Sequence, residues 1–254
     1  MNISIIQSDI VWEDIQKNGS RFAKKIEHVP DDTRLIILPE MFLTGFSMNP
    51  QKFAGKTDRQ LEWMAIQSAK KKAAVAGSII REQQGIFYNT LVVMSPDGSY
   101  AQYDKRHLFR FAGEDQYYNA GSRRLIFEMD GVRFCPQICY DLRFPVWSRN
   151  QGDYDCLLYV ANWPDSRSEV WKTLLRARAM ENQSYVIGVN RVGTDGYGLN
   201  HSGFSQVIDP KGNILCQAKE GKEEIITADI DIKMLEKFRK KFPVKIDADD
   251  FKIL

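Results

Sequence analysis

The chain predicts an α/β fold in which a mixed sheet is covered by helices. Three observations carry that prediction. Short apolar, strand-like runs alternate with stretches of helical period in several places. Three turn signals, SPDGS, Asp130-Gly131 and DPKGN, each join two strand-like runs into a hairpin. Alternation with helices asks for parallel neighbours and hairpins ask for antiparallel ones, so the sheet is mixed. The number of strands suggests two sheets packed face to face, a choice that spacing alone leaves open.

The elements follow in order. Residues 3–9, ISIIQSD, read as a first strand. A helix is expected over Trp12–Glu27, where Ile15, Phe22, Ala23 and Ile26 fall near helical spacing. Leu35–Leu38 suits a short strand buried on both faces. Thr57–Lys72 reads as a helix with Asp58 as candidate N-cap, and Ala73–Ile80 as the next strand. Ile86–Met94 pairs with Tyr100–Tyr103, and Leu125–Met129 with Val132–Ile138, across their turns. Asp155–Ala161 is a strand, Ser168–Asn182 a helix of strong helix formers, and Tyr185–Asn190 a strand. Ser205–Ile208 and Ile214–Gln217 form the third hairpin, and Glu224–Asp229 is the last strand.

Composition narrows the function. A length of 254 residues without repeat, linker or low-complexity segment suits a single domain over 1–254. A net charge of +2, from 35 Lys+Arg against 33 Asp+Glu, argues against nucleic acid as a partner. KKK at 70–72 belongs on a solvated helix face. No signal peptide and no apolar run of membrane-spanning length are seen. Four cysteines, at 135, 139, 156 and 216, are too few for a disulfide framework in a chain this long, so reduced thiols and a cytoplasmic protein are expected.

The most informative stretch is Phe134–Pro145, FCPQICYDLRFP. It reads as a strand ending abruptly on Cys139, then a tight turn and a helix start. Such a turn holds a nucleophile clear of the sheet and aims the next backbone N–H, that of Tyr140, at a developing oxyanion. The plain alternative is a core cysteine, and that reading is given to Cys135, Cys156 and Cys216. LIILPE sets Glu40 just past another apolar strand, and YDKRHLF sets Lys105 just past a third. A carboxylate beside apolar runs is desolvated, which suits a general base; otherwise it is a helix cap or a structural ion pair. His107, near Lys105, is the other candidate base. A buried ammonium at Lys105 would stabilise both thiolate and oxyanion, and Glu114 could orient it. A thiol, a carboxylate and an ammonium on three strand ends point to covalent cleavage of an amide. Zinc binding is disfavoured, because Cys135 and Cys139 are the only close ligand pair and His28, His107 and His201 are scattered. GTDGYG at 193–198 lacks the spacing and the strand–turn–helix context of a dinucleotide site.

These segments resemble the nitrilase (carbon–nitrogen hydrolase) superfamily over essentially the whole chain. The opening I-x-Q-x-D-x-x-W-x-D with Asn18 resembles its first strand and helix, LPEMFLTGF its glutamate motif, YDKRHLF its lysine motif and ICYDLRFP its cysteine motif. The resemblance implies a four-layer α-β-β-α sandwich, a homodimer that extends the sheets, and a Glu40-Lys105-Cys139 triad with Glu114 as second glutamate. No metal or cofactor is implied. Val146, where many relatives carry glutamate, together with ANWPDSR, WKTLLRARAMENQ and the tail KFPVKIDADDF, resembles the omega-amidase branch. That branch hydrolyses the terminal amide of 2-oxo acids such as 2-oxoglutaramate and 2-oxosuccinamate.

A small, flat, anionic amide needs pocket walls and a cation. Phe46, Tyr140 and Trp163 lie beyond predicted strand ends and are candidate walls; Arg167 is the candidate cation. The short loops after Glu40 and Lys105 favour a small substrate. Arg143 is expected to anchor the Cys139 turn by pairing with an acid. Arg176 and Arg178 are expected to pair with Glu181 or a neighbouring subunit. Selective labelling of Cys139 with an acidic midpoint would speak against a non-catalytic scaffold. The rival enzymes are a deaminated-glutathione amidase, an N-carbamoyl amino-acid hydrolase and a true nitrilase.

Overall fold

The computed structural model describes residues 1–252. Two six-stranded mixed sheets are stacked between helices. The first has the order β14-β1-β2-β3-β4-β5, from Glu224–Asp229, Asn2–Gln7, Leu35–Ile37, Ala74–Gln83, Ile86–Met94 and Tyr100–Asp104. The second has the order β13-β12-β9-β8-β7-β6, from Ile214–Gln217, Gln206–Ile208, Tyr185–Asn190, Cys156–Ala161, Val132–Ile138 and Phe127–Met129. A separate hairpin pairs β10 (Val192–Thr194) with β11 (Asn200–Ser202).

Strand parity explains the layers. In β1, β2, β7 and β8, alternate residues such as Ile5, Ile37, Phe134 and Leu158 meet between the sheets. Ile6 and Ile36 face the opposite way, onto Phe22 and Ile26 of α1 (Ile15–Glu27) and Met64 of α2 (Thr57–Lys71). Cys135, Leu157 and Tyr159 face Trp171, Leu175 and Ala179 of α4 (Ser168–Asn182) on the other outer side. Runs such as LII and CLLYVA are apolar throughout because both of their faces are buried. This is the expected α-β-β-α sandwich.

Parallel pairing puts several strand ends on one rim. β1, β2 and β3 are parallel, as are β7, β8 and β9. β5 is antiparallel to β4, which is antiparallel to β3, so β5 ends on the same rim as β3.

Some boundaries differ from the sequence reading. The first helix starts at Ile15 rather than Trp12, because the Asp14 carboxylate accepts from Lys17 N and caps it. Asp58 is not an N-cap: Lys56 holds that position without a side-chain bond, and Asp58 lies inside the first turn. Lys70 and Lys71 close the same helix, and Lys71 pairs with Asp31, as a solvated basic end would. α5 (Ile232–Lys241) was not anticipated, although Asp231 caps it by accepting from Met234 N. A single turn, α3 (Pro145–Ser148), follows the Cys139 segment.

Candidate active site

Cys139 ends β7 and begins a 3-10 turn over Cys139–Arg143. Its φ of 45° lies in the left-handed region, which costs a non-glycine residue strain and is characteristic of functional turns. Asp141, buried inside that turn, holds it in place. Its carboxylate accepts from Ile138 N at 3.0 Å, Tyr103 Oη at 2.8 Å and His107 N at 2.9 Å. Tyr103 and His107 flank Lys105, so one aspartate locks the cysteine turn of the second sheet to the lysine strand of the first.

Glu40, Lys105 and Glu114 are fully buried and meet at one point. Lys105 Nζ donates to Glu40 Oε1 at 3.0 Å and to the two Glu114 oxygens at 3.0 and 2.9 Å. Glu40 Oε2 accepts from Asn162 N at 2.8 Å, and Asn162 Nδ2 donates to the Glu40 carbonyl at 2.6 Å. Asn89 Nδ2 donates to Glu40 Oε1 at 2.8 Å. Glu114 Oε2 also accepts from Phe109 N at 2.5 Å. The Lys105 backbone is pinned on both sides, since Lys105 N donates to Asn89 O at 2.9 Å and Gly121 N to Lys105 O at 2.8 Å. A Cβ on Gly121 would sit 2.1 Å from Asp104 O, so only glycine permits that approach.

The charges act on one another. Burial pulls the Lys105 ammonium towards losing its proton, but the Glu114 and Glu40 carboxylates outweigh burial and hold its pKa above the usual lysine range. Burial raises the Glu114 carboxyl, Lys105 opposes the rise, and Glu40 adds to it. Burial and then the Glu40 charge push the Cys139 thiol well up, against the pull of Lys105. The resting residue is therefore a thiol, and its reactivity needs a base at the moment of attack.

A cavity of about 610 Å³ opens above this cluster. Lys105 and Cys139 line its floor, and Phe46, Tyr140, Trp163 and Arg167 line its walls, so all the predicted wall residues come together here. Phe46 lies under the ammonium, with Lys105 Nζ 5.0 Å from its ring centre. Arg143 also lines the cavity, stacked 5.2 Å over Trp163, with no acidic partner among the described residues. That corrects its expected role: Asp141, not Arg143, anchors the turn. Arg167 stands 5.3 Å over Phe109. Arg178 pairs with Glu181 at 2.9 Å as expected and also donates to Leu142 O, whereas Arg176 is exposed.

His107 is not placed as a base. Its Nδ1 is 2.8 Å from Asp141 Oδ1 and its ring stacks on Phe144 at 3.8 Å. Among the described residues, no three of His, Cys, Asp and Glu group as metal ligands would. GTDGYG is the tip of the β10–β11 hairpin, and its Asp195, Tyr197, Leu199 and His201 form one cavity wall. A Cβ on Gly196 would lie 2.2 Å from the Trp12 ring, which explains that glycine by packing rather than by a phosphate. Sequence reasoning missed Asn89, Asn162 and Asp141. For the two asparagines the signal was a polar residue inside or at the end of a largely buried strand, as in IFYNTLVVM and LLYVAN.

Comparison with known proteins identifies the family. A family model described as carbon-nitrogen hydrolase matches residues 2–240. The chain is 43 % identical to the omega-amidase YafV of Yersinia enterocolitica, covering 100 % of this chain and 99 % of that one. It is 35 % identical to the 2-oxoglutaramate amidase of Bacillus subtilis, covering 95 % of each. Among solved structures, the CN-hydrolase superfamily protein XC1258 of Xanthomonas campestris superposes with a TM-score of 0.97 at 40 % identity, over 100 % of this chain and 99 % of that one. The chain is thus an amidohydrolase acting on C–N bonds, and it belongs to the carbon–nitrogen hydrolase family, in its omega-amidase branch.

Proposed function

We propose that this chain hydrolyses the terminal amide of a small 2-oxo acid, such as 2-oxoglutaramate or 2-oxosuccinamate, and releases ammonia through a thioester on Cys139. The observation that carries the reading is the buried Glu40–Lys105–Glu114 cluster beside the Cys139 thiol, at the floor of a cavity that also holds two arginines without acidic partners among the described residues. The names of the relatives support the substrate class.

Glu40 takes the thiol proton as Sγ attacks the amide carbonyl carbon. The C=O electron pair moves to oxygen, and Lys105 with the Tyr140 backbone N–H stabilises that oxyanion. Glu40 passes its proton to the nitrogen, the C–N bond breaks, and ammonia leaves a thioester behind. Water then gives a proton to Glu40 and attacks the same carbon. The C–S bond breaks, the acid departs, and the thiolate recovers its proton. Because the thiol is held protonated at rest, proton transfer to Glu40 is coupled to attack. Arg167, with Arg143 beside the same pocket, holds the substrate carboxylate, and Phe46, Tyr140 and Trp163 clasp its flat carbon frame. We also propose one domain over 1–254 acting as a cytoplasmic homodimer; a strict monomer by light scattering would contradict the dimer.

Ammonia release is the test, from 2-oxoglutaramate, 2-oxosuccinamate, glutamine, asparagine, an N-carbamoyl amino acid and a simple nitrile. Turnover confined to the two 2-oxo amides is expected. Turnover of another substrate keeps the triad and discards the substrate class. No turnover of any of them discards the 2-oxo amides and leaves an untested amide, or the scaffold reading, as the next question.

A further inference from the structure

Lys105 has three N–H donors, and at rest all of them face carboxylates: Glu40 Oε1 at 3.0 Å and the two oxygens of Glu114 at 3.0 and 2.9 Å. An oxyanion on the substrate can receive a Lys105 N–H only if one carboxylate gives it up. A buried carboxylate that loses a donor is destabilised, since no water is at hand to replace it.

One side chain is placed to replace it. Asn89 lies in β4 and is fully buried. Its Nδ2 reaches Glu40 Oε1 at 2.8 Å and Glu114 Oε1 at 3.4 Å, two of the oxygens that Lys105 holds. These contacts fix the orientation of the amide, because Oδ1 turned towards two carboxylates would be repelled. Oδ1 has no hydrogen-bond partner among the described residues and is sealed from solvent. The longer contact, to Glu114 Oε1, is the one with slack, and a small shift would shorten it. The Asn89 carbonyl also accepts from Lys105 N, so the same residue sets the height of the lysine.

Charge explains why an amide suits this position. A second cation would neutralise Glu40 and weaken it as a base. A third carboxylate would add another buried negative charge. A neutral donor satisfies both glutamates and leaves the charge of the site unchanged.

We propose that Asn89 is a positioning residue: a donor shared by Glu40 and Glu114 that holds both carboxylates while Lys105 turns one N–H to the oxyanion. The inference rests on the Glu40–Lys105–Cys139 reading above.

The test compares Asn89→Leu, which removes the donor at similar volume, and Asn89→Asp, which keeps the shape but adds charge, with Cys139→Ala alongside. Ammonia release from the best amide of the panel is followed against pH. For both Asn89 variants kcat should fall roughly 10- to 100-fold, with KM within about threefold. The acid limb of kcat/KM should move to higher pH, since a carboxylate that loses a donor takes up its proton more readily. The loss should be larger in Asn89→Asp. An unchanged kcat overturns the proposal, and so does a lower kcat with an unmoved acid limb, the mark of a packing role alone. If neither variant folds, the native protein labelled with 15N-asparagine decides: one side-chain amide should shift along the acid limb of activity, and the absence of any such amide overturns the proposal. Cys139→Ala separates the two levels. Wild-type turnover in that variant defeats the underlying reading, whereas an inactive Cys139→Ala with unaffected Asn89 variants defeats only the Asn89 inference.

Discussion

At the floor of the cavity, Glu40, Lys105 and Glu114 are fully buried and held by one another, by Asn89 and by Asn162. At its mouth, Phe111 is 88 % exposed, Tyr117 and Tyr197 are exposed beside it, and Arg143 and Arg167 rest on aromatic faces without acidic partners among the described residues. The difference follows from desolvation. Charges taken out of water persist only when paired and hydrogen-bonded, so the floor can adopt very few arrangements. Half-exposed cations over aromatic rings need no fixed partner and remain available to a ligand anion. The floor is fixed by its own charges, whereas the mouth keeps its cations free for a ligand.

Substitutions at the floor should therefore act on turnover, and those at the mouth on binding. Cys139→Ala should have the largest effect, a loss of turnover of at least roughly 10⁴-fold, as for other enzymes that lose a covalent nucleophile. Glu40→Gln keeps shape and removes the base, and should lower kcat by roughly 10²- to 10⁴-fold in a steady-state ammonia assay. At the mouth, Arg167→Met should raise KM for 2-oxoglutaramate about tenfold, the value of one charge-assisted hydrogen bond, with kcat nearly preserved. A KM that does not move would remove Arg167 from the carboxylate site, and the same assay on Arg143→Met would show which arginine carries it.

A further effect concerns stability rather than rate. His201, in the hairpin wall, has its pKa pulled from 6.5 to about 4 by burial and then by the Arg191 charge, against the pull of Asp195. The unfolded chain takes up that proton near pH 6.5, while the folded chain refuses it until about pH 4. Stability from this group is therefore complete above pH 6.5 and is lost as pH falls towards 4, on the order of 3 kcal/mol in all. Urea midpoints measured at several pH values should show that decline in the wild type and a shallower one in His201→Gln. Equal slopes would contradict the assignment.

The contrast between floor and mouth also marks what the sequence made legible. Glu40, Lys105 and Cys139 each follow a strand-like run within a distinctive motif, and burial ties such residues to fixed neighbours, so local sequence points to them. Most strands and the long helices were readable because their faces are buried at fixed periods. Asn89 and Asp141 were not read, because a lone polar residue acquires meaning only from partners far along the chain, such as Glu40 for Asn89 and Tyr103 for Asp141. Arg143 was misread for a related reason: its neighbour Asp141 is spent on the turn, which leaves the guanidinium to the cavity. The β10–β11 hairpin is short and glycine-rich, and its role as a wall arises from docking on Trp12, a contact that periodicity does not report. α5 did leave a signal, an Asp231 cap before an amphipathic run.

Rapid-quench mass spectrometry during turnover of 2-oxoglutaramate asks whether the C–N bond is broken through a thioester on Cys139. The peptide carrying Cys139 is expected to gain the substrate acyl group, without its ammonia, on the timescale of turnover, and Cys139→Ala to gain nothing. Steady ammonia release with Cys139 never acylated, or undiminished release by Cys139→Ala, would contradict that expectation.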